Sequence, residues 1–107
     1  MKFTILPVAA ATALLLSTTA FAAETVVDQQ GQKFVPTAVT VKVGDSIKFL
    51  NSDDVDHNVT VIDGDGNADD RGIQKPGTPL TVKFSKAGDF AVRCSVHPRM
   101  KMTVKVE

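Results

Sequence analysis

The sequence predicts an all-β domain, and three observations carry that prediction. Apolar residues recur with a period of two in several separate runs. Clusters of Pro, Gly and Asp separate those runs, and no amphipathic helical pattern follows the N-terminal segment. Short alternating strands at this spacing indicate an antiparallel sandwich or barrel.

The chain opens with MKFTILPVAAATALLLSTTAFA. A short basic start, an apolar run and the small residues Ala20 and Ala22 flanking Phe21 form the pattern of a secretory signal peptide cleaved after Ala22. A membrane anchor is the weaker reading, because the apolar run is short and ends in Ser17, Thr18 and Thr19. Lys2 is not part of a twin-arginine pair, and no N-terminal cysteine offers a lipid anchor. Residues 1–22 are therefore expected to be a signal peptide, and residues 23–107 one soluble periplasmic domain. That domain keeps 11 basic side chains against 12 acidic ones, since only Lys2 is removed. Such a balance points to neither nucleic acid nor a stable membrane association.

The strands follow in order. In FVPTAVTVKVGDSIKFLN, Val39, Val41 and Val43 share one face, with Thr40 and Lys42 on the other. After Gly44 and Asp45 the pattern resumes with Ile47 and Phe49, so two strands joined by a tight turn are expected. HNVTVI alternates Val59 and Val61 against Asn58 and Thr60. LTVKFS sets Leu80, Val82 and Phe84 on one side, and GDFAVRC does the same with Phe90 and Val92. MTVKVE closes the chain with Val104 and Val106 in phase. Between them lies DGDGNADDRGIQ, Asp63 to Gln74, which breaks the alternation. Asp63, Asp65 and Asn67 sit at calcium-loop spacing, yet Ala68 replaces the turn glycine and Gln74 the bidentate glutamate. A solvated acidic loop is the expected reading, with calcium a minor alternative.

A domain this small often needs a staple. Its single cysteine, Cys94, cannot form an internal disulfide, so a bound metal is the other common device. Cys94 and His97 stand at C-x-x-H spacing with Met100 three residues further on, and His57 begins a strand elsewhere. A thiolate, two imidazoles and a thioether form a soft, mixed set that suits copper cycling between Cu(I) and Cu(II). Zinc could use the same residues, but a thioether is a poor fourth ligand for it. A cysteine–histidine nucleophile would need an orienting group and a cleft that the sequence does not display. An inert buried cysteine is the common fate of a lone Cys94. The company of His57, His97 and Met100 favours the metal.

These residues resemble the cupredoxins, the blue copper proteins similar to plastocyanin, pseudoazurin and amicyanin. Three segments carry the resemblance across nearly all of residues 23–107: FVPTAVTVKVGDSIKFLN, DHNVTV and AGDFAVRCSVHPRM. The first resembles the family's early hairpin and implies that its two strands pair. It implies a Greek-key β-sandwich of about seven or eight strands, with one copper ion held at one end by His57, Cys94, His97 and an axial methionine. Asn58 would tie the two ligand-bearing loops together. Met100 is the expected axial residue from strand register, with Met102 the alternative; otherwise Met102 packs in the core. The implied role is one-electron transfer through the exposed edge of His97, between transient redox protein partners such as a cytochrome or an oxidoreductase. No enzymatic activity and a monomeric state are expected. The alternative is a periplasmic copper-handling protein that stores, delivers or senses the metal. The sequence departs from its relatives in Asp53, Asp54, Val55 and Asp56 before His57, and in Val96 and Arg99 beside His97. A more charged mouth to the site is expected from those changes.

Overall fold

The computed structural model describes residues 21–107, so most of the expected signal peptide lies outside the described residues. Nine strands follow in chain order: β1 (Glu24–Gln29), β2 (Phe34–Val35), β3 (Ala38–Val41), β4 (Ser46–Asn51), β5 (His57–Ile62), β6 (Ala68–Gln74), β7 (Leu80–Lys83), β8 (Gly88–Arg93) and β9 (Lys101–Val106). They form two sheets, ordered β2-β1-β4-β7 and β3-β9-β8-β5-β6, and no helix occurs among the described residues. The all-β sandwich is as the sequence predicts, with one or two more strands than the resemblance implies.

Burial follows the alternation. β9 reads exposed–buried three times over, with Met102, Val104 and Val106 inward, and β4 buries Ile47 and Phe49. These inward faces meet Val27, Val41, Val61, Val82, Phe84 and Val92 in one core. Burying each such side chain contributes about 1.5–3 kcal/mol. Phe34 packs edge-on against Phe49, and Phe84 against Phe90.

Three expectations are corrected. The two strands of the Val39–Phe49 region do not pair, because β3 lies beside β9 in one sheet and β4 between β1 and β7 in the other. The tight turn is present, with Asp45 N–H bonded to the Lys42 carbonyl and Gly44 at φ 94°. It carries the chain between sheets instead of folding it back. The sandwich is also not wholly antiparallel: β1–β4 and β3–β9 are parallel pairs, each with intervening strands that allow the crossover. Finally, the segment expected to be a solvated loop contains β6, an edge strand paired to β5. Both Asp63 carboxylate oxygens are occupied by local donors, from the Asp65 and Asn67 backbones and the Asn67 side chain. The turn is thus closed by its own hydrogen bonds, and β6 starts at Ala68.

Candidate metal centre

At one end of the sandwich β5 begins at His57, and the loop of residues 94–100 joins β8 to β9. Antiparallel pairing continues to Arg93 opposite Lys101. The loop is then pinned by two backbone bonds, from Cys94 N–H to the Met100 carbonyl and from Met100 N–H to the His97 carbonyl. β5 pairs with β8 only from Thr60 opposite Arg93 onward. Beyond that point the ladder partner changes, and Asn58 N–H donates to the Cys94 sulfur at 3.3 Å. Sheet geometry therefore brings His57 beside the Cys94 loop although 40 residues separate the two histidines.

The donor atoms converge. His57 Nδ1 and His97 Nδ1 are 3.2 Å apart, and Cys94 Sγ is 3.8 Å from His97 Nδ1. Ligand atoms of all three residues lie within 4.8 Å of one another. Bonds of about 2.0 Å to nitrogen and 2.3 Å to sulfur around one ion give separations of this order. The donor set, two imidazoles and a thiolate, also fits copper chemistry. His57 and Cys94 are fully buried, while His97 is half-exposed. Met100 and Met102 are both buried, but they differ in setting. Met100 stands in the loop before β9, whereas Met102 lies within β9 opposite Val92 of the core.

Polar contacts fix the surroundings. Asn58 Oδ1 accepts from Ser95 N–H at 3.1 Å and from the Thr60 hydroxyl, joining β5 to the Cys94 loop. Its amide donates to Asp70 and to the Gly72 carbonyl on β6. Asp70 is held below the usual carboxylate range by the Gly72 amide first and then by the Asn58 side chain. On the other side, His57 Nε2 meets Asp53 Oδ2 at 2.7 Å. Burial pushes the Asp53 carboxyl up, but bonds from the Gln32 amide, His57 and the Gly31 amide outweigh it and hold the group low. Beneath His57 lie three buried amides. Gln29 donates to Gln74 Oε1, Gln74 donates to the Phe49 and Thr78 carbonyls, and Asn51 donates to the Val55 and Gln74 carbonyls.

All four residues expected from sequence, with Asn58, are found at this end. Missing from that expectation were the specific contacts of Asp53 and Asp70. The signal for Asp53 was present as an acidic residue four positions before His57, in the run that departs from the family pattern. Asp70 had no signal, since its strand was read as a loop.

Comparison with known proteins agrees with this geometry. Residues 21–107 match the family described as copper binding proteins, plastocyanin/azurin family. The chain is 37% identical over 65 residues to the methylamine utilization protein MauL of Methylorubrum extorquens, covering 61% of this chain and 57% of that protein. It is 33% identical over 84 residues to amicyanin of Paracoccus denitrificans, covering 77% of this chain and 64% of the relative. The chain thus spans roughly three-fifths of the length of these relatives. A Cu(I) amicyanin structure superposes with a TM-score of 0.72 at 29% identity, covering 78% of this chain and 82% of the other. With a family match over every described residue and a donor set that suits the metal, the chain belongs to the plastocyanin/azurin family of copper-binding proteins.

Proposed function

We propose that this protein is a periplasmic one-electron carrier and not an enzyme, with copper held by His57, Cys94 and His97 and by Met100 as a weak axial ligand. The observation that carries the reading is the convergence of His57 Nδ1, Cys94 Sγ and His97 Nδ1 at a buried end from which His97 reaches the surface. Copper bound there supplies a Cu(II)/Cu(I) couple. Met102 serves the core, as its place in the inward row of β9 supports. The N-terminal signal pattern supports export.

The remaining work is done by the protein frame. The Asn58 amide bonded to the Cys94 sulfur and the Ser95 amide bonded to Asn58 keep the ligand segments in one arrangement. Little then has to move when an electron arrives. The half-exposed His97 ring gives the electron a short route outward beside the exposed Val96. Arg99 beside His97, and Asp54 and Asp56 in the loop before His57, are all exposed and carry charge of both signs. Transient redox partners meet through small surfaces of this kind, steered by charge. A monomer is sufficient for such a role.

The test pairs two rates on the copper-loaded protein. Stopped-flow mixing with a small one-electron reductant should reduce it within milliseconds, while a Cu(I) chelator removes the metal only over hours. Slow reduction together with rapid loss of copper to the chelator would instead identify a copper-handling protein, for which the acidic mouth would serve delivery.

A further inference from the structure

The run before His57, where the sequence departs from its relatives, contains one residue that is not a surface charge. Asp53 is only 13% exposed in its side chain, and its carboxylate accepts three hydrogen bonds. Gly31 N–H reaches Oδ1 at 2.7 Å, Gln32 N–H reaches Oδ2 at 2.9 Å, and His57 Nε2 reaches Oδ2 at 2.7 Å. Gly31 and Gln32 have φ of 62° and 55°, and Gln32 is the one non-glycine residue at positive φ among the described residues. Consecutive left-handed residues aim successive N–H groups at one point and form a small anion cradle. Asn51 Oδ1 accepts from Asp53 N–H, which fixes the carboxylate from its own backbone.

We propose that Asp53 is a positioning residue for the metal centre, holding His57 as the Nε2–H tautomer and biasing the site electrostatically toward Cu(II). The proposal rests on His57, Cys94 and His97 being the ligand set. A carboxylate can only accept, so the bonded ring nitrogen carries the proton. The other nitrogen, Nδ1, then presents a lone pair toward Cys94 and His97. The Nδ1–H tautomer would set two acceptors, the Asp53 oxygen and an unprotonated Nε2, against each other beside a fully buried ring. His97 packs edge-on against the ring at 5.0 Å between centroids and helps hold its orientation from the other side. The negative charge two bonds of the imidazole away from the metal-facing nitrogen stabilises the more positive ion. Outer partners of ligating histidines act in this way on metal affinity.

Two readouts test it. In the copper-free protein, ¹⁵N-edited NMR of the imidazoles should show His57 protonated at Nε2 and bare at Nδ1. Asp53→Ala should mix the two tautomers. In the copper-loaded protein, Asp53→Asn keeps the side-chain shape and removes the charge. It should weaken Cu(II) about tenfold relative to Cu(I), which raises the reduction potential by about 59 mV for a one-electron couple. Asp54→Asn, the same change on the exposed neighbour, should move the potential by far less. A wild-type His57 protonated at Nδ1, or equal shifts from Asp53→Asn and Asp54→Asn, would overturn the proposal. The NMR result on the wild type needs neither a variant nor copper. A wild-type protein lacking a thiolate-to-copper band would overturn the ligand set itself, leaving the tautomer result to stand alone.

Discussion

The two halves of this sandwich are built on opposite rules. Through the middle, the buried side chains are apolar: Val27, Ile47, Phe49, Val82, Phe84, Val92 and Val104 fill the space between the sheets. At the loop-bearing end every buried polar residue described is gathered, namely Gln29, Asn51, His57, Asn58 and Gln74. Buried polar groups stabilise little in net terms and are costly when unpaired. The middle therefore provides stability, and the end spends part of it on holding ligands in place. If that division is right, substitutions in the two regions should separate stability from copper spectroscopy.

The largest stability effect belongs to the middle. Phe49→Ala should cost about 3–5 kcal/mol, read as a lower urea midpoint, while the colour of the folded fraction stays unchanged. A spectral shift from Phe49→Ala would break the division. At the end, Gln74→Leu keeps the volume but removes one of the two acceptors of the Gln29 amide, leaving it the Leu50 carbonyl alone. It also removes the donor to the Phe49 and Thr78 carbonyls. A cost of about 1–3 kcal/mol is expected, and a neutral result would mean that the amide cluster contributes no order.

Smaller still are the two methionines, which test the division most finely because both are buried. Met100→Leu and Met102→Leu should each cost less than about 1.5 kcal/mol, since volume is conserved. Only Met100→Leu should alter the absorption spectrum and raise the potential, by removing a weak donor to Cu(II). The reverse pattern would make Met102 the axial residue.

The smallest effect is electrostatic and lies far from copper. Asp45 is held below the usual carboxylate range by the Lys42 amide and then the Ala23 amide, and Asp63 by the Asn67 backbone and side chain. A depressed folded value means that the unfolded chain binds more protons in acid. This contribution is present above about pH 4, the unfolded range for Asp, and is lost as pH falls through the folded values. Urea midpoints of the copper-free protein should fall below pH 4, and less steeply for Asp45→Asn. A midpoint independent of pH between 5 and 2 would contradict this.

How much of this was legible in the sequence follows the same division. The middle announces itself, because alternation marks each strand whose one face is buried, as in β4 and β9. β6 stayed hidden because six of its seven residues are exposed, so backbone pairing to β5 alone makes it a strand. β1 was equally silent: of its adjacent Val26 and Val27 only Val27 is buried, and its other fully buried residue is the polar Gln29. The Gly44–Asp45 turn was readable, but which sheet each flanking strand joins is decided by distant partners. At the site, soft ligand types and the C-x-x-H spacing were conspicuous. The amides of Gln29, Asn51 and Gln74 look like surface residues in any one-dimensional reading, and their burial emerges only where the ends of β1, β4 and β6 meet and bond one another.

The most direct measurement is a paired visible and EPR spectrum of the copper-loaded wild type and Cys94→Ser. The wild type should show an intense thiolate-to-copper band with narrow copper hyperfine splitting, and Cys94→Ser should lose both while its far-UV CD stays that of a β-sandwich. A wild type with only a weak, ordinary Cu(II) spectrum, or a band that survives Cys94→Ser, would contradict the assignment of the Cys94 thiolate to copper.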